Sequence, residues 1–171
     1  LLRETASLKQ KPYQLSFEEM KEPIINEGEV MIRVTRCGVC HTELDEIEGR
    51  TPPPRLPVVL GHQVVGVVLE SARLLADLQE LAPEIQKGQR VGVAWIASAC
   101  GKCRHCLAGN ENLCEEFQAT GRDVDGGYAE YMKGRAEFVH PIPDAFTDSE
   151  AAPLLCAGAI GYRSLDRNLW L

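Results

Sequence analysis

The sequence predicts a mainly β domain with short helices, closed or partly closed into a barrel. Three observations predict it. Short segments rich in Val and Ile recur along the chain, some with alternating apolar positions. Pro, Gly, Asn and Asp punctuate the gaps between them. Helical periodicity is confined to a few brief stretches. Short strands, frequent turns and few helices are the pattern of a barrel.

Residues 29–34 alternate apolar and other side chains and read as a half-buried strand. Residues 58–70 are Val-rich and contain Gly61 and Gly66, which predicts one buried strand with a bend or bulge. Residues 90–95, 128–132 and 137–142 read as further short strands. Residues 41–48 fit one short helix, with Leu44 and Ile47 on one face and Gly49 as its stop. Residues 73–81 place Leu74, Leu75, Leu78 and Leu81 at helical spacing behind a cap at Ser71. Near the end, Thr147-Asp148-Ser149-Glu150 has the capping-box pattern before an apolar run through Tyr162.

Composition narrows the function classes. With 171 residues, 44% of them hydrophobic and 25% charged, the chain suits one well-buried domain. No apolar run approaches about 18 residues and LLRETASLKQ is not a signal peptide, so no membrane association is expected. A net charge of −7 argues against nucleic acid and anionic membranes, which need a basic face. Seven cysteines, four of them in a 15-residue window, favour metal binding in a reducing compartment over a secreted disulfide framework. The expected location is cytoplasmic.

Cys100, Cys103, Cys106 and Cys114 form C-x2-C-x2-C-x7-C. Four thiolates can surround Zn2+ as a tetrahedron, and such a closed site has a structural role. Gly101 and Gly109 allow the turns, and backbone N–H groups can donate to the sulfurs. An iron–sulfur cluster competes, but its ferredoxin-type spacing ends in x3-C-P, and here the gap is seven and Glu115 follows Cys114. Unrelated cysteines or disulfides are the bland alternative.

A second constellation is Cys37-Gly38-Val39-Cys40-His41-Thr42, then Gly61-His62, then Cys156-Ala157-Gly158. Each piece alone is weak. Together they could supply two thiolates and an imidazole to a zinc that keeps its fourth position open. C-x-x-C could instead be a redox pair of Cys37 and Cys40, but the motif sits on a barrel loop without the helix N-terminus that activates such thiols.

At this point the chain resembles the N-terminal, GroES-like catalytic domain of the zinc-dependent alcohol dehydrogenases of the medium-chain dehydrogenase/reductase superfamily. The matching segments are CGVCHTE, PVVLGHQVVGVV, GQRVGVAW, CGKCRHCLAGNENLC, DGGYAEY and AAPLLCAG, in the family's order. The resemblance implies a partly open GroES-like β-barrel with a structural-zinc lobe. Residues 1–150 would be the catalytic domain and 151–171 the start of a connection to a Rossmann NAD(P)-binding domain. It implies two Zn2+. Cys40, His62 and Cys156 would hold the catalytic ion, Cys100, Cys103, Cys106 and Cys114 the structural one, and Cys37 would be free. Thr42 would relay the alcohol proton, and His41 would approach the cofactor pyrophosphate. Trp95 would line the substrate pocket, a core or rim aromatic being the alternative. The implied reaction is hydride exchange between NAD(P) and a small alcohol, aldehyde or ketone, because zinc lowers the pKa of an alcohol and polarises a carbonyl.

The chain departs from the family pattern in several places. Gln63 stands where the family has Glu, Glu43 where it has Asp to orient the ligand His, and Asp45 where many members have the His that ends the proton relay. Gln89 replaces a usual Asp, and residues 69–89 are longer than the usual turn, so residues 73–81 read as an inserted surface helix. The fifteen glycines include no pair separated by one residue, so the dinucleotide fingerprint is absent. The 171-residue chain alone is therefore expected to show no steady-state dehydrogenase activity, and oligomers are expected only through the missing domain. The alternative function is a non-catalytic module binding one or two zinc ions.

Overall fold

The computed structural model describes residues 1–12, 14–71 and 85–168. The inserted helix expected over residues 73–81 lies outside them. β1 (Glu29–Gly38), β2 (Gln63–Ser71), β3 (Arg90–Val93), β6 (Tyr131–Arg135) and β7 (Val139–Pro141) form one antiparallel sheet in the order β6-β1-β2-β3-β7. β4 (Ile96–Ser98) and β5 (Gln118–Ala119) pair separately. The main sheet curls into a half-barrel around Val30, Ile32, Val64, Val68, Val91, Val93, Met132 and Val139. These side chains alternate along their strands, so one face fills the core.

Several boundaries differ from expectation. The strand expected over residues 58–70 begins only at Gln63. Gly61 has φ +97°, which ends extended backbone before the strand, and Val58 instead bridges to Leu2. The carbonyls of Val59, Leu60 and Gly61 are taken by the N–H groups of Gly126, Tyr128 and Gly127. That occupies residues 126–128, so β6 starts at Tyr131 rather than at 128. Residues 90–95 form a strand only to Val93, and Trp95 falls in the crossing to β4. Residues 137–142 split into a 3-10 turn (Ala136–Phe138) and β7.

Close packing of residues 121–127 on Gly61 is what aims the next residue, His62. A Cβ on Gly126 would sit 2.1 Å from the Gly61 carbonyl oxygen. Gly126→Ala should therefore lower stability by about 1–3 kcal/mol, the scale of overpacking, measured by urea unfolding. An unchanged midpoint would show that the contact can relax.

Helix α1 (His41–Ile47) follows β1 and stops at Gly49, φ +74°. Its buried face is Glu43, Glu46 and Ile47, while Leu44 is exposed. The expected apolar face is thus half wrong, because α1 packs on the polar surroundings of His62 and not on the main core. Helix α2 (Arg104–Leu107) lies inside the four-cysteine segment.

The expected capping box forms at Thr147, whose hydroxyl oxygen accepts from the Glu150 N–H at the start of α3 (Asp148–Pro153). The chain continues through a π turn (Leu154–Gly158) into α4 (Ala159–Asn168). Pro153 brings no N–H to the helix ladder just before the widened turn. Asp148 anchors this unit. It accepts from the Thr35 hydroxyl at 2.6 Å and pairs with Arg90 at 3.2 Å, while Ala151 and Ala152 pack on Val65. Those contacts bring Cys156 back over β1 and β2.

Candidate metal centres

Cys40 is the N-cap of α1, His62 directly precedes β2, and Cys156 sits in the π turn. Their ligand atoms all lie within 4.8 Å of one another. The Cys40 and Cys156 sulfurs are 3.8 Å apart. Two sulfurs at about 2.3 Å from one tetrahedral ion are about 3.8 Å apart, so the pair is spaced for zinc. Glu43 Oε1 is 2.7 Å from His62 Nδ1, and both side chains are buried. That leaves His62 Nε2, buried and without a hydrogen-bond partner among the described residues, as the nitrogen free for a metal. Glu43 Oε2 accepts from the Cys40 N–H at 2.7 Å, so one carboxylate braces two members of the set. These donors fit a Cys2His zinc.

The second cluster is local. The ligand atoms of Cys100, Cys103, Cys106 and Cys114 also lie within 4.8 Å of one another. Cys106 Sγ is 3.9 Å from Cys100 Sγ and 3.5 Å from Cys103 Sγ, close to the same tetrahedral edge. The Cys103 N–H donates to Cys100 Sγ and the Cys100 N–H to Cys114 Sγ. Gly101 and Gly109 both have positive φ. Backbone N–H groups of Lys102 and Cys103 pull the Cys100 thiol down to about 7. They favour the thiolate that a metal needs.

The comparisons with known proteins give the family. The alcohol dehydrogenase GroES-like domain family matches residues 26–144. This chain belongs to that family. It is 44% identical over 152 residues to an alcohol dehydrogenase of Geobacillus stearothermophilus, covering 88% of this chain and 43% of the relative. Among solved structures, a cinnamyl alcohol dehydrogenase of Sorghum bicolor superposes with a TM-score of 0.77 at 30% identity, covering 88% of this chain and 43% of that one. Acetophenone reductase of Geotrichum candidum NBRC 4597, solved with NAD, gives a TM-score of 0.69 at 29% identity, covering 83% and 40%. The chain thus spans less than half the length of these relatives.

Other residues of this GroES-like domain find definite places. Thr42 Oγ1 lies 3.6 Å from Cys40 Sγ at the start of α1. Trp95 stands edge-on to His62, centroids 4.8 Å apart, and forms one wall of the site. His41 is exposed and its Nε2 is 3.6 Å from Asp45, which Arg50 also binds. Gln63 is buried, with its side chain against Gly38.

The redox alternative fares differently from its premise. Cys40 does cap a helix, contrary to the reading of a bare barrel loop. However, burial pushes the Cys37 thiol up to about 12, which disfavours the thiolate that disulfide exchange needs. A groove of about 490 Å³ between the Met20–Ile24 stretch and β6 is lined by neither metal cluster. Among the described residues no helix is long and apolar enough to cross a membrane.

Sequence reading missed Glu46, Arg122 and Tyr128, whose buried polar atoms have no partner among the described residues. A signal for Glu46 was present. It lies three residues after Glu43 on a helix and so shares its face. Burial and the Glu43 charge push the Glu46 carboxyl up to about 8.

Proposed function

We propose that this GroES-like domain is the catalytic-site half of a zinc-dependent, NAD(P)-linked alcohol dehydrogenase. Residues 1–150 form the catalytic domain, and residues 151–171 begin the connection to a nucleotide-binding fold. The convergence of Cys40, His62 and Cys156 on one point, with His62 Nε2 left unpartnered, carries this reading. Zinc bound there would supply Lewis-acid polarisation of an alcohol or carbonyl oxygen, easing hydride exchange with NAD(P).

The chain's own residues do the rest. Cys40 and Cys156 supply two negative charges that offset a divalent cation, so a neutral aldehyde or ketone is not held electrostatically. Glu43 fixes the His62 ring and its tautomer. Thr42 places a hydroxyl beside the site to accept the substrate proton and pass it toward solvent. Trp95 shields one side and gives apolar surface for a small alcohol. His41, exposed on the same turn, offers an imidazole N–H to a cofactor phosphate. The second, four-thiolate zinc would be structural. All seven cysteines are free, as ligand and buried thiols in a reducing cytoplasm would be.

Metal content tests the proposal. The purified protein should carry two zinc ions per chain. Cobalt in the Cys40/His62/Cys156 site should change its visible absorption when a small aldehyde or alcohol is added. One zinc per chain, or a cobalt spectrum indifferent to ligand, would reduce the domain to a zinc-binding module.

A further inference from the structure

We propose that Glu46 is a positioning residue for the Glu43–His62 pair, acting through a buried polar pocket shared with Arg122 and Tyr128. The inference rests on the metal site proposed above and adds a residue to it. Glu43 and Glu46 stand three residues apart on α1, at 2% and 0% exposure. The segment of residues 119–128 is held by its glycines against Gly61, and its Tyr128 packs on the cluster that holds Ile47 of α1. Tyr128 lies with its ring against the Gly61 backbone.

Four buried polar atoms here are unsatisfied by protein. Both Glu46 oxygens, Arg122 Nε and Tyr128 Oη have no hydrogen-bond partner among the described residues. Their charges act on one another. Tyr128 feels both Glu43 and Glu46, while Glu46 feels Glu43, Asp45 and Asp123 as like charges and Arg122 as the opposing one. Native interiors do not leave such groups unpaired, and a polar pocket with several donors and acceptors is where ordered water is held. Water bridging Glu46 to Tyr128, Arg122 and Glu43 satisfies the whole set. It also pins the Glu43 carboxylate, whose Oε1 lies 2.7 Å from His62 Nδ1.

In this arrangement Glu46 works as a neutral donor. Its raised carboxyl keeps the proton at neutral pH, so no second negative charge faces Glu43. Gln preserves shape, neutrality and donor. Leu preserves volume and removes every hydrogen bond. A merely structural buried acid would behave oppositely, since replacing an unpaired polar group by an apolar one leaves other functions alone or adds stability.

The test is cobalt and zinc competition against a chelator on the parent chain, Glu46→Gln, Glu46→Leu and Tyr128→Phe. The four-cysteine site serves as internal control through its all-thiolate spectrum. Glu46→Leu should weaken metal binding at Cys40/His62/Cys156 about tenfold, the lower range for changes behind a metal ligand, and leave the other site alone. Glu46→Gln should stay near the parent, and Tyr128→Phe should lose part of the affinity. Parent-like affinity in Glu46→Leu overturns the proposal, as does equal loss in Glu46→Gln. Parallel loss at both sites with a lowered unfolding midpoint also overturns it. If Glu46→Leu does not fold, Tyr128→Phe decides by the same selectivity. A parent chain with one metal ion overturns the catalytic-site reading itself, a separate outcome.

Discussion

Cys156→Ser should lower bound zinc from two ions per chain to one while the fold persists. The site then keeps Cys40 and His62, which cannot close a tetrahedral set on their own. A serine hydroxyl is a poor zinc ligand and does not ionise near neutral pH, so one of two thiolate charges is lost. The substitution replaces sulfur by oxygen at a half-exposed position in the π turn, so no large cavity opens. The anchoring of α3 by Asp148, Thr35 and Arg90 does not involve Cys156 and stays in place. Elemental analysis together with circular dichroism checks both halves of the expectation. Two retained ions would mean that Cys156 is not a ligand.

Cys106→Ser should have the opposite character, with a large structural effect confined to one lobe. Cys106 has two sulfur neighbours within 4 Å and is buried, so it is central to the four-thiolate set. The lobe has little else. Between Cys100 and Cys114 regular structure amounts to the four residues of α2 and a three-residue 3-10 turn. Cys106 and Cys114 are the segment's buried residues. Small zinc modules of this kind draw about 10–16 kcal/mol of apparent folding free energy from the ion. Loss of the ion should therefore open residues 100–114 to proteolysis while the five-stranded sheet keeps its strand signal. A chelator should produce the same cleavage in the parent chain. A lobe that resists protease without zinc would assign its order to packing.

What could be read in advance depended on sequence separation. C-x2-C-x2-C-x7-C is legible because one short loop supplies all four thiolates, and local spacing almost dictates the geometry. The capping box at Thr147 and the stop at Gly49 are legible for the same reason. They are satisfied by atoms three residues away or by a single backbone angle. The Cys40/His62/Cys156 set is not local. Its members are separated by up to 116 residues, so residue types alone could only offer them as one possible set, and the family resemblance assigned them together. Strand ends were misread where hydrogen bonds are made by distant loops, as at residues 59–61, whose carbonyls accept from the N–H groups of residues 126–128.

The sequence by itself determined the mainly β class, the four-cysteine site and the family, because each is written in periodicity or in short motifs. Tertiary structure alone decided that α1 turns two carboxylates inward and that Glu43, which the resemblance already set to orient His62, also accepts from the Cys40 N–H. It also decided that Glu46, Arg122 and Tyr128 hold buried polar atoms with no partner among the described residues. The physical reason is that burial reverses what a residue type suggests. Glu at a helix surface is solvated and unremarked, whereas Glu at 0% exposure must find protons, water or a counter-charge, and only the packed chain shows which are within reach.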